Sequence, residues 1–194
     1  MQIPPKADIL CELEVLKVQD VGDQEKINNL ETAEVKNFAD KKLSMEEVFV
    51  RASDYFSRGK LESALKSYKS VIQEANFSNV RDEEEKKSRN DILKRAHLNI
   101  AVCLNKTEKY DETLTHIRIL ENICCIEDQP KALYVKGFAL MKLGELSEAV
   151  PPLVQALKLK PLDQQIIKAI EELNSRKKTY DINRKAFGKN LGFN

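Results

Sequence analysis

Gly59, Ala64 and Tyr68 recur as Glu108, Thr113 and Ile117, and again as Gly144, Ala149 and Leu153. Each set follows a short break and places its members about one helical turn apart. The segments before the breaks match as well, because Ala52 and Tyr55, Ala101 and Leu104, and Gly137 and Leu140 each put a small and a bulky residue on one helix face. A small residue lets the neighbouring helix approach closely, and the bulky one fills the space between. The chain therefore reads as three helical hairpins, the third closed by Pro161. Units of this kind bury their apolar faces only by stacking, which leaves a concave surface suited to holding peptides rather than to covalent chemistry.

This spacing resembles the tetratricopeptide (TPR) pattern. The intervals are uneven: Ala52 to Ala101 is 49 residues and Ala101 to Gly137 is 36, against about 34 for the motif. An insertion of roughly 15 residues in the first unit accounts for the difference. It falls at Asn76–Asn90, whose charged run RDEEEKKSRN reads as a solvated lengthening of the flanking helices, with Glu83 and Lys87 spaced for an i,i+4 pair.

From Leu43 onward the helical periodicity is nearly continuous. It predicts helices over Met45–Arg58, Leu61–Ala75, Asp82–Lys106, Tyr110–Ile126, Pro130–Leu143 and Leu146–Leu159, then a last one from Leu162 into the 180s. Ahead of them, Ile9, Cys11, Leu13 and Val15 alternate with Glu12 and Glu14 after a Pro-Pro lead, the signature of a strand. One strand buries no face alone, so it is read as a remnant of a sheet, a partner for another chain, or unstructured. The chain thus divides into a strand remnant at 1–19, a polar linker at 20–42, three repeats at 43–161, and a capping helix with tail at 162–194. The fold class is all-α, a TPR superhelix with a short N-terminal β-strand remnant.

Charge and cysteines exclude several function classes. The net charge is only +1 over 194 residues, which gives no general case for nucleic acid or a membrane surface. Locally the chain is polarised, with six lysines against eleven acidic residues in 1–50, and six basic residues against one acidic in 175–194. Four cysteines without regular spacing make no disulfide framework, and reduced thiols in a cytosolic setting are expected. The Cys124, Cys125 pair could attract a metal, but with only two histidines in the chain, His97 and His116, none is expected. No apolar run reaches the roughly 20 residues of a membrane span, and no signal peptide is read, so the chain is expected to be soluble. The two histidines are read on helices, there is no Gly-rich phosphate loop, and adjacent acids such as Glu46 and Glu47 face different ways, so no catalytic residue and no cofactor are expected.

IPPKADILCELEVLKV resembles the last strand of an FKBP-type peptidyl-prolyl isomerase domain. The strings HLNIAVCLNK, KALYVKGFALMKLGELSEAVPPLVQALKLKP and LGFN are similar to the three-repeat C-terminal region of the large FKBP-type immunophilins. The second string is most like the membrane-anchored subfamily of mitochondria and the endoplasmic reticulum. The resemblance covers about 165 residues and implies a parent with an isomerase domain upstream and a membrane anchor downstream. It makes this chain a co-chaperone or adaptor module, cytoplasmic or facing the cytosol, rather than an isomerase. The rival readings are a fragment that keeps isomerase activity and a module that only self-associates through its exposed strand.

The resemblance also implies a ligand. In TPR domains that hold the acidic C-terminal peptide of heat-shock chaperones, five groove positions grip two carboxylates by charge-assisted hydrogen bonds. Here those positions carry Phe49, Ser53, Asn99, Lys131 and Val135, with Lys106 as a further supporting residue. Two of three cations are lost, so tail binding is expected to be weak, and an apolar peptide or amphipathic helix becomes a candidate ligand. The alternative is that Phe49 packs against the linker helix. By resemblance, anti-apoptotic Bcl family proteins are also candidate partners. The basic tail with Arg176, Lys177, Lys178, Arg184 and Lys185, interleaved with Tyr180, Ile182 and Phe187, would suit calmodulin or anionic lipid, or would belong to a capping helix reaching into solvent.

Overall fold

The computed structural model describes residues 38–190, all of its regular structure helical: α1 (Phe38–Ser57), α2 (Leu61–Asn76), α3 (Glu83–Lys106), α4 (Tyr110–Ile123), α5 (Pro130–Leu143), α6 (Leu146–Leu159) and α7 (Gln164–Asn190). The strand expected within 1–19 lies outside the described residues. Helices pair as α1–α2, α3–α4 and α5–α6, with α7 packed on α6. Among the odd-numbered helices α1 also touches α3, α3 touches α5 and α5 touches α7, whereas α2, α4 and α6 do not touch one another through their described residues. An inner layer in contact and an outer layer held apart give the stack its curvature.

Each hairpin turn is built the same way. Gly59, Glu108 and Gly144 lie in the left-handed region, at φ 74°, 60° and 88°. The following amides, of Lys60, Lys109 and Glu145, donate to the carbonyls of Tyr55, Leu104 and Leu140 at 2.8, 2.9 and 3.0 Å. These are the six-to-one bonds of a Schellman ending, which satisfies carbonyls that the helix would otherwise leave open. Glu108 holds a conformation that costs little for glycine and more for any residue with a Cβ. The next helix begins at once: the amides of Ala64, Thr113 and Ala149 donate to the carbonyls of Lys60, Lys109 and Glu145, each at 3.0 Å. Thr113 fills an otherwise alanine position by turning its hydroxyl back onto the Lys109 carbonyl at 3.0 Å.

The hairpin interiors follow the expected register. Ala52, Ala64 and Tyr68 are buried in one cluster with Met45, Phe49 and Ile100, and Ala101 and Ile117 lie in the next with Leu120 and Ile166. At Gly137 a Cβ would meet Leu153 Cγ at 2.5 Å and the Ala149 carbonyl at 3.2 Å, so α5 and α6 come closer there than an alanine allows.

Three helix boundaries differ from the sequence expectation by two residues or more. Helix α1 starts at Phe38 rather than Met45, because Phe38 is itself buried, at 1% exposure, with its amide donating to the Asn79 carbonyl at 3.3 Å. Helix α4 stops at Ile123 instead of Ile126, since Cys124 turns to extended backbone. Helix α7 begins at Gln164, after a turn at 161–162, with the Gln165 amide donating to Asp163 Oδ1 at 3.0 Å. The charged insertion does lengthen α3, which is 24 residues long. Its start is fixed reciprocally, Asp82 accepting from the Glu85 amide and the Glu85 carboxylate from the Arg81 amide, both at 2.8 Å. Glu83 pairs with Lys86 at 3.1 Å rather than with Lys87.

Candidate functional site

The inner layer presents one stripe from each of α3, α5 and α7. On α3 the stripe is Arg95, Asn99, Val102 and Lys106; on α5 it is Lys131, Tyr134, Val135, Phe138 and Lys142; on α7 it is Gln165, Lys168, Ala169 and Glu172. Spacings of three and four residues keep each set on one helix face. Between α3, α5 and α7 these residues enclose a cavity of about 430 Å³ lined by Val102, Asn105, Lys106, Lys131, Tyr134, Val135, Phe138 and Lys168, with Glu172 at one edge. Apolar surface comes from Val102, Tyr134 and Phe138, the last two rings stacked at 5.8 Å between centroids. Lys106, Lys131 and Lys168 are exposed around it. A larger depression of about 770 Å³ lies on the outer side, near Cys124, Cys125, Pro151 and Pro152, and does not touch these stripes.

The six expected groove residues fall into two groups. Asn99, Lys131 and Lys106 face the groove: Lys131 Nζ donates to Asn99 Oδ1 at 3.3 Å, and Lys106 Nζ sits 4.6 Å over the Phe56 ring. Partial desolvation in this wall lowers the Lys131 pKa, and nearby Cys103 opposes the shift. Ser53 is exposed beside them, its hydroxyl 3.5 Å from that of Tyr68. Phe49 and Val135, by contrast, are only 3% and 2% exposed. Phe49 packs on Tyr68 with centroids 5.8 Å apart and is roofed by Arg95, whose Cζ lies 4.3 Å above the ring. Val135 contributes its carbonyl, which accepts from Asn105 Nδ2 at 3.0 Å and leaves the buried Asn105 Oδ1 without a partner among the described residues of the cavity wall. Most of the open apolar surface of the cavity comes from Val102, Tyr134 and Phe138, with Val135 behind them in the lining and Phe49 buried outside it.

The basic tail residues also divide. Arg176 turns inward, its Nη2 at 2.8 Å and Nε at 3.0 Å from Glu172 Oε1, which Lys142 reaches at 2.6 Å. These contacts, Lys142 first, hold the Glu172 carboxyl below its ordinary pKa and pin α7 to α5. Lys177 and Lys178 are exposed, and the side chains of Arg184 and Lys185 lie outside the described part.

Sequence reasoning passed over Arg95, Tyr134, Phe138 and Lys168, though each lies three or four residues from a position that it did single out or on the facing stripe. It also passed over a pairing of the two histidines, His97 Nδ1 to His116 Nδ1 at 2.9 Å between α3 and α4. Burial first, and His116 second, push His97 down to about 4; burial and then Lys69 lower His116, against Glu112. No group of three or more His, Cys, Asp or Glu among the described residues is placed to hold a metal. The Cys103 thiol is buried, which pushes it up to about 11 and makes it a packing residue rather than a nucleophile.

No family model matches the chain. It is 28% identical over 187 residues to the inactive peptidyl-prolyl cis-trans isomerase shutdown of Bombyx mori, covering 95% of this chain and 43% of that protein. It is also 28% identical over 178 residues to the peptidyl-prolyl cis-trans isomerase FKBP42 of Arabidopsis thaliana, covering 91% of this chain and 47% of that protein. The chain thus spans less than half the length of these relatives. Among solved structures, the C-terminal TPR-containing domain of a Plasmodium falciparum FK506-binding protein superposes with a TM-score of 0.67 at 24% identity, over 75% of this chain and 95% of that one. That likeness shows the fold, and the TPR register derived from the residues agrees with it. Every regular element among the described residues is a helix, so the sheet of an FKBP-type catalytic domain has no counterpart there. Over nearly its whole length the chain is similar to FKBP-type immunophilins, and its described residues have the TPR-type helical fold.

Proposed function

We propose that this chain is the partner-binding module of an FKBP-type immunophilin, an adaptor that takes a peptide along its inner face. The observation that carries this reading is the cavity between α3, α5 and α7, where Val102, Tyr134 and Phe138 offer an apolar floor within reach of Lys106, Lys131 and Lys168. Such a site suits a peptide with one apolar side chain beside carboxylates: the side chain is desolvated on the rings while the acids meet cations at the rim. An acidic chaperone tail has that chemistry. With Phe49 and Val135 in two clamp positions, it would be held by fewer cations than a complete clamp provides, and by the cavity as well.

A reducing, cytosol-facing setting is supported by the free thiols Cys103, Cys124 and Cys125. Membrane anchoring would have to come from sequence other than the described helices, none of which is long and apolar enough to cross a membrane.

The test is fluorescence anisotropy with a labelled acidic peptide ending Glu-Glu-Val-Asp. Lys131→Glu and Lys168→Glu, both at exposed positions, should each weaken binding about tenfold while the melting temperature stays that of the unaltered chain. Binding that ignores both substitutions would remove the cavity as the site.

A further inference from the structure

At the α1–α3 end of the groove a cation is present that the clamp positions do not reveal. Phe49 stands where the resemblance would place a lysine, yet the space above its ring is occupied by the guanidinium of Arg95, reaching across from α3. Arg95 is four residues before Asn99, on the same helix face, and Asn99 is hydrogen-bonded to Lys131. Arg95, Asn99 and Lys131 therefore follow one another along the inner wall. The Arg95 side chain remains 51% exposed, and its Nη1 donates to Glu46 Oε1 at 2.6 Å, a carboxylate carried by α1 itself.

We propose that Arg95 is a carboxylate-binding residue of the groove, and that Glu46 occupies its carboxylate position until an acidic ligand displaces it. The inference rests on the groove reading above and adds to it a specificity-determining residue and a built-in competitor. Three features support it. The Phe49 ring supports the guanidinium at 4.3 Å, so part of the rotamer freedom is already lost before a ligand binds. The existing bond to Glu46 shows that a carboxylate fits at that distance. A guanidinium has five N–H donors, and Glu46 engages it through Nη1, so an incoming carboxylate can take a bidentate grip that the intramolecular one does not. Because the pair is half-exposed, releasing it costs little.

The experiment titrates the same labelled Glu-Glu-Val-Asp peptide into the intact chain, R95Q, E46Q and the double variant, with melting curves to confirm folding. R95Q should bind about tenfold more weakly, and E46Q a few-fold (about three) more tightly. The gain from E46Q should vanish in the double variant, whose affinity should equal that of R95Q. A gain that persists without Arg95 would mean that Glu46 acts only through its general field, and would overturn the exchange. Binding by the intact chain that is indifferent to R95Q would overturn this inference while leaving the groove reading intact. No binding by either the intact chain or E46Q would remove both.

Discussion

In each hairpin interior a small residue of the odd helix, Ala52, Ala101 or Gly137, is matched by a bulky one of the even helix, Tyr68, Ile117 or Leu153, with the same turn between them. Along the groove wall nothing repeats: α1 offers Phe49 beneath Arg95, α3 offers Asn99, and α5 offers Lys131 with Tyr134 and Phe138. The interior is constrained by contact in all directions, so its volumes must match. The wall faces solvent on one side, and its residues are set by what they must bind. A substitution should therefore be read first by which of the two regions it enters.

The largest effect should come from Gly137→Leu. A Cβ at residue 137 would lie only 2.5 Å from Leu153 Cγ, so α5 and α6 must separate, at a cost of about 3 kcal/mol or more. Lys131→Glu in the wall should change stability by less than about 0.5 kcal/mol. Equal losses in chemical denaturation would break the distinction between the two regions.

The His97–His116 pair lies in the second hairpin interior and makes that interior sensitive to acid. The folded chain resists protonating His97 until pH falls to about 4, while an unfolded histidine takes up its proton near 6.5. Folding stability from this group is complete above about pH 6.5 and is lost as pH falls, roughly 2 kcal/mol between about pH 7 and about pH 5. Lys69 and Glu112 act on His116 in opposite directions. His97→Gln should flatten the stability–pH profile over that range; an unchanged slope would place the acid sensitivity elsewhere.

The smallest effect sharpens the comparison at the turns. Glu108 holds the left-handed conformation that glycine holds in the other two hairpins, so Glu108→Gly should stabilise by about 1 kcal/mol, read as a rise in melting temperature. A fall would mean that the Glu108 side chain contributes something that the turn geometry does not show.

These cases also mark how far the sequence could be read. The small-and-bulky register was legible because it repeats, and repetition singled out even Glu108 as the counterpart of two glycines. The start of α1 was not, since Phe38 is separated from Met45 by the mostly polar run ADKKLS and is held where the loop after α2 reaches back to it. The resemblance could name groove positions, but not their depth. Phe49 and Val135 lie on the right faces and are buried, while the exposed cation at the first of those places comes from another helix. Arg95 and Glu46 are 49 residues apart, and the two histidines are joined across 19. Pairs of this kind depend on how far one hairpin is rotated against the next, which local periodicity does not encode.

The lack of contact among the described residues of α2, α4 and α6 has a mechanical consequence. Widening or tightening the groove requires no contact between these outer helices to break; it needs small rotations where successive hairpins meet, at α1–α3, α3–α5 and α5–α7 and where α2 packs on α3 and α4 on α5. The stack can therefore bend as a leaf spring does, resisted by the contacts between successive hairpins and by none between the outer helices. A ligand that spans from Arg95 to the Lys142–Glu172–Arg176 cluster would work against that spring, so its length as well as its chemistry would register as strain or relief at both ends of the domain.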